Sequence, residues 1–188
     1  MPHASVRRGV SLTETLFLLV LVGVAGAVVV PPAIISRTQQ AAHVAEQLAD
    51  DLDALRSAAT EQRRVARVVF DPVGGSYDSY LAVDGDGVIT YGPAEQAALA
   101  GSAVQSIDLP VRLGRGARPA VPGYPEADAV SFAGAAITFD ARGLLQPLGD
   151  RGVIYLRAVE SPDALAAVSI SGNGTTRVWR WHDGDGWR

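Results

Sequence analysis

A single carboxylate interrupts the most apolar stretch of this chain. From Val10 to Ile35 the only polar side chains are Ser11, Thr13, Glu14 and Thr15, and from Leu16 to Val30 there is none. A charged carboxylate in lipid costs on the order of a few kcal/mol, so Glu14 either sits solvated at the headgroup level or pairs with a cation supplied from elsewhere. Two other patterns could hold ligands. Asp84-Gly85-Asp86-Gly87 and Asp183-Gly184-Asp185-Gly186 set carboxylates at alternate positions, as calcium would need. Neither has the downstream acidic ligand of an EF-type loop, and turn formation accounts for both. The tail from Arg177 to Arg188 interleaves arginine with Trp179, Trp181 and Trp187, a mixture that suits single-stranded nucleic acid. Arg177 and Arg180 are three apart, so a straight strand puts them on opposite faces, with Arg177 beside Trp179 and Trp181. The tryptophans read as packing of a terminal hairpin, with DNA contact through Arg177 and Arg180 as the alternative.

The rest of the composition removes chemistry. There is no cysteine, hence no disulfide, thiolate metal site or cysteine nucleophile. All 16 basic residues are arginine, which excludes P-loop and Schiff-base lysines. His43 and His182 are isolated, and no Gly-x-Ser-x-Gly, His-Glu-x-x-His or phosphate loop occurs. The sequence therefore assigns no catalytic, cofactor or metal residue, and the chain reads as a structural or binding protein. Its net charge of −4 argues against broad nucleic-acid binding.

The elements that must position these residues begin with a helix. The run from Val10 to Ile35 is long enough to cross a hydrocarbon core of roughly 30 Å and longer than the ~7–15 apolar residues of a signal peptide, although Ala25-Gly26-Ala27 has the small residues of a cleavage site. Arg7 and Arg8 precede it and Arg37 alone follows closely, which keeps the N-terminus cytoplasmic and sends the remainder outward. Pro31 and Pro32 kink or locally open the helix. Apolar residues then recur at Val44, Leu48, Leu52, Leu55 and Ala59, one stripe at spacings of three and four, with Arg63 and Arg64 in the last turn. Beyond it, short strands are expected at Arg67–Phe70, Ser79–Val83, Val104–Leu109, Ala136–Phe139, Val153–Arg157, Ala167–Ser171 and Arg177–Trp181. Asp84–Gly87 would turn Ser79–Val83 into a partner strand at Val88–Tyr91, and Pro93–Leu99 would form a short helix. Residues 110–128 read as a long loop.

The segment Arg7-Arg8-Gly9-Val10-Ser11-Leu12-Thr13-Glu14 resembles the cleavage and methylation signal of type IV prepilins and pseudopilins. Gly9 matches the last leader residue, Ser11 the hydroxyl position, Leu12 the leucine and Glu14 the glutamate. Val10 and Thr13 depart from the usual phenylalanine or methionine and the usual aliphatic residue. Pro31 falls where these helices commonly carry a proline. Ile137-Thr138-Phe139-Asp140 with Arg142-Gly143, and Val168-Ser169-Ile170-Ser171 before a glycine turn, narrow the resemblance to the GspH/FimT minor pseudopilins.

The resemblance implies cleavage between Gly9 and Val10 by a membrane prepilin peptidase, methylation of the Val10 amine, and pairing of Glu14 with the terminal amine of a neighbouring subunit. It implies an α+β fold, a long transmembrane spine helix followed by a β-sandwich-like pseudopilin head. The domains are then a leader (1–9), a transmembrane half-helix (10–35), an amphipathic periplasmic half-helix (36–65) and a β-rich head (66–188). The function implied is that of a structural subunit of the type II secretion pseudopilus, anchored in inner-membrane lipid, with other pseudopilins and secreted cargo as partners. The alternative is a minor pilin of a type IV pilus engaged in DNA uptake. The mature chain, without Arg7 and Arg8, would carry 14 arginines against 20 acids, which disfavours phosphate binding.

Overall fold

The computed structural model describes residues 37–83, 86–97, 104–107, 111–159 and 161–188. Among these, no helix is long and apolar enough to cross a membrane. The segment 10–35, with Gly9, Val10, Glu14, Pro31 and Pro32, lies outside the described residues. Residues Ile35–Arg188 form a compact unit of their own.

Helix α1 spans Arg37–Gln62. Its apolar stripe is buried as the spacing requires: Leu48, Leu52, Leu55 and Ala59 are all inaccessible, Val44 is partly buried against them, and Ala41 and Ala45 extend the stripe. The helix stops one residue short of the expected basic turn. Arg63 adopts a left-handed conformation (φ 53°), its N–H donates to the Thr60 carbonyl at 3.3 Å, and the Arg64 N–H reaches back to the Ala59 carbonyl at 3.0 Å. This is the double bond of a Schellman cap, so Arg63 and Arg64 follow the helix rather than forming its last turn.

Two antiparallel five-stranded sheets follow. The first takes β1 (Ala66–Asp71), β2 (Ser76–Leu81), β3 (Val104–Ser106), β5 (Ala136–Phe139) and β6 (Leu145–Gln146) in the order β3-β2-β1-β5-β6. The second takes β4 (Val111–Leu113), β7 (Gly152–Ala158), β8 (Ser161–Ile170), β9 (Thr176–His182) and β10 (Gly186–Trp187) in the order β10-β9-β8-β7-β4. One apolar cluster draws on the helix and both sheets: Val68, Phe70, Ile137 and Phe139 from the first, Ile154, Leu156, Val168 and Ile170 from the second. Alternation along β7 and β8 assigns the faces. Ile154, Leu156, Ala166, Val168 and Ile170 point into that cluster, while Val153, Tyr155 and Ala167 form a second cluster on the opposite face with Val121, Tyr124, Trp179 and Trp187. Both faces of the second sheet are therefore covered, and β7 reads as a nearly continuous buried run.

Three expectations are corrected. The first hairpin turns at Asp71–Gly75, not at Asp84–Gly87: β1 pairs β2 from Ala66↔Leu81 to Asp71↔Ser76, and the Asp71 carboxylate accepts the Val73 and Gly74 N–H groups. Val88–Tyr91 is not a strand; Tyr91 instead sets its ring edge-on to Tyr80, over the outer face of the first sheet. The stretch 110–128 is not all loop, because Val111–Leu113 pairs with β7. The short helix α2 is described over Pro93–Ala97, and the Glu95 carboxylate accepts the Thr90 and Gly92 N–H groups just ahead of it.

Candidate functional site

The turns at the ends of the two motifs Ile137–Gly143 and Val168–Ser171 converge on one place, the C-terminal end of α1. Asp140 closes the β5–β6 turn by accepting the Arg142 N–H at 2.8 Å and the Leu144 N–H at 3.0 Å on one oxygen, and the Arg142 guanidinium at 2.7 Å on the other. Burial works to raise the Asp140 pKa, but the Leu144 N–H and the Arg142 guanidinium together hold it below the usual carboxylate range. The turn sets Gly143 in a left-handed conformation (φ 74°) directly against the helix: a Cβ there would stand 2.8 Å from the Thr60 hydroxyl. The β8–β9 turn arrives on the other side, where the Arg56 guanidinium donates to the Gly174 carbonyl at 3.3 Å. Arg56 thus lies between two turns from different sheets, beside a polar cleft of about 540 Å³ lined by Asp53, Ser57, Thr60, Glu61 and Thr176. Sequence reasoning did not single out Arg56; its only signal was a cation on the acidic face of the helix.

Polar contacts fix the rest of the helix to the strands. The Tyr77 hydroxyl donates to Asp51 at 2.5 Å, and burial, reinforced by the Asp51 carboxylate, pushes its pKa far up. Thr176 donates to Asp53 at 2.9 Å, and Arg180 forms an ion pair with Glu46. Arg180 therefore faces the helix. Arg177 projects from the opposite face of β9 and stacks 3.9 Å above the Trp179 ring. The two arginines are not brought together, and each guanidinium already has a partner within the chain.

The tryptophans form the packing of a terminal hairpin. Trp181 and Trp187 are cross-strand partners with rings edge to face at 5.5 Å, and Trp187 lies 5.8 Å from the Tyr155 ring. The Trp179 indole N–H donates to Ser169, that of Trp187 to the Pro119 carbonyl and that of Trp181 to Asp183. Arg118 lies over Trp181. All three rings are half-buried, and each indole N–H already has a partner within the chain. In the second Asp-Gly-Asp-Gly segment, Asp183 also pairs with Arg118 and Asp185 with Arg188. Asp84 and Gly85 of the first lie outside the described residues, among which no cluster of three or more metal-binding side chains occurs.

No protein-family model matches the chain, and no curated protein sequence matches it. Solved structures do. The minor pseudopilin EpsH from the type 2 secretion system of Vibrio cholerae is 14% identical, with a TM-score of 0.51, over 78% of this chain and 99% of that one. The type IV minor pilin FimU of Pseudomonas aeruginosa is 19% identical, with a TM-score of 0.47, over 72% of this chain and 85% of that one. At these identities the likeness to EpsH concerns the fold alone: the described residues share with it an α+β architecture of a helix followed by antiparallel sheets.

Proposed function

We propose that this chain is a minor pseudopilin of a type II secretion system, a structural subunit and not an enzyme. The observation that carries the reading is the pilin-like head, alike to that of the minor pseudopilin EpsH across almost the whole of that chain. The signal-like pattern from Arg7 to Glu14 supports the rest. In this reading residues 10–35 span the bacterial inner membrane once, with the N-terminus cytoplasmic and the head periplasmic. A prepilin peptidase removes residues 1–9. Gly9 suits the cut because it admits the extended backbone a protease needs. The cut leaves a new amine on Val10, subsequently methylated, one helical turn from Glu14. In the filament Glu14 pairs with the Val10 amine of a neighbouring pseudopilin, which offsets its desolvation and sets the axial register. Pro31 and Pro32 bend the spine between membrane and head.

The test is intact mass and N-terminal sequencing of protein extracted from membranes. A methylated Val10 start is expected; a start near Val28, as after signal-peptide cleavage, overturns the reading. Glu14→Ala is expected to insert in the membrane normally and to be lost from sheared filaments, and normal incorporation would remove the pairing role.

A further inference from the structure

Four arginines lie at one end of the strands on the second sheet's outer face. Arg112 and Arg157 are directly opposed in the β4–β7 register, and so project on the same side. Arg115 and Arg118 follow on the loop leaving β4, and with Arg157 and Asp163 they line a cleft of about 300 Å³. The described carboxylates there are few and already committed. Asp163 and Asp183 both pair with Arg118. Asp128 contributes its backbone carbonyl, which accepts the Arg115 N–H at 2.5 Å, and neither its carboxylate nor that of Glu126 forms an ion pair with these arginines.

Among the described residues, Arg112, Arg115 and Arg157 thus form no ion pair, in a chain whose overall charge is −4. Arg115 is half-buried, its guanidinium lies 5.8 Å over the Tyr155 ring, and its Nε is buried with no hydrogen-bond partner. A buried donor without a partner is rare in folded proteins and costs free energy until a partner is supplied. Arg157, also half-buried, lies beside Gly114 and Gly116, where added Cβ atoms would stand 3.5 and 3.6 Å from its guanidinium. Arg157 itself lines the cleft.

We infer that this cleft binds an oxyanion, a phosphate or carboxylate group held by Arg115 and Arg157, with Arg118 and its two aspartates forming the far wall. Planar guanidinium forks match both groups in bidentate geometry, and two half-buried forks give charge-assisted bonds that an exposed pair would not. The site is separate from the Glu14 chemistry and stands whether or not the filament reading does.

The experiment uses the full chain in neutral detergent at constant ionic strength set with chloride. Inorganic phosphate is titrated in one arm and N-acetylglutamate in the other, read by calorimetry and by thermal shift. Saturable binding is expected in at least one arm. Phosphate alone assigns a free or esterified phosphate, and N-acetylglutamate in addition assigns the acidic side chain of a protein segment; both outcomes support the cleft. Arg157→Gln and Arg115→Gln should each weaken binding about tenfold or more, whereas Arg112→Gln, outside the cleft wall, should change it far less. Circular dichroism melts check each variant's fold, and Arg157→Lys, which keeps the charge but loses the fork, serves if a glutamine variant is unstable. No saturable response in either arm, an equal response to chloride, or full binding by folded Arg157→Gln would overturn the site.

Discussion

At the scale of single residues, the turn glycines and capping residues decide more than their number suggests. Gly143 combines a left-handed backbone with contact against Thr60 and Arg56. Gly149 has a similar φ of 83° and nothing within 4 Å of where a Cβ would lie. Gly149→Ala therefore meets only the backbone term, about 1–2 kcal/mol, while Gly143→Ala adds displacement of the helix end. Urea unfolding should show Gly143→Ala destabilised by at least ~1 kcal/mol more than Gly149→Ala; equal losses would mean that the turn does not bear on α1. Little of this was legible beforehand. Glycines in Asp140-Ala141-Arg142-Gly143 announce a turn, but nothing local says that the turn will land on Thr60, 83 residues earlier in the chain. Arg63 departs from its expected place for a related reason: a basic residue near a helix end suits both the last turn and the cap beyond it, and only tertiary placement separates the two.

At the scale of elements, periodicity was legible where it was long and failed where it was short. The stripe Leu48, Leu52, Leu55 spans two turns of α1, and its burial follows directly from spacing. Leu52→Ala should cost about 2–5 kcal/mol in urea unfolding, since the cavity would open at the contact between helix and sheets. Strand β4 offers only Val111-Arg112-Leu113, one alternation inside a Pro- and Gly-rich stretch, too little to stand out from a loop. The displaced hairpin has the same origin. Two turn signals flank the strand after Asp71, and Asp84–Gly87 resembles a two-residue hairpin loop more closely than Asp71–Gly75, but cross-strand packing of Phe70 on Tyr77 fixes the turn at the earlier one. The Asp140 turn carries a pH dependence of definite sign. Its folded pKa lies below the unfolded value of about 3.9, so its contribution is complete above that pH and is lost as the pH falls from there through the folded pKa. Asp140→Asn should be less stable than the parent at pH 7, and its stability should fall less steeply between pH 5 and 3. Parallel acid profiles by chemical denaturation would show that Asp140 does not carry the linkage.

At the scale of the whole molecule, α1 belongs to the head it precedes. It buries Ala41, Ala45, Leu48, Leu52, Leu55 and Ala59 in the same cluster as Ile154, Leu156, Val168 and Ile170. Fully burying one large aliphatic side chain contributes about 1.5–3 kcal/mol, so exposing the strand residues under the helix and losing its three leucines together is as large as the ~5–15 kcal/mol by which a domain is stable. The amphipathic half-helix and the β-rich head therefore fold together, within the compact unit Ile35–Arg188. A fragment of residues 36–188 should unfold in one cooperative transition followed by near-ultraviolet circular dichroism, with Tyr155 and the three tryptophans of the terminal hairpin as its reporters. A fragment of residues 66–188 should show no such transition and should bind hydrophobic dye, because the inner face of β7–β9 is left bare. If the shorter fragment melts cooperatively at a similar temperature, the two sheets are self-sufficient, and α1 is an appendage laid on a finished domain.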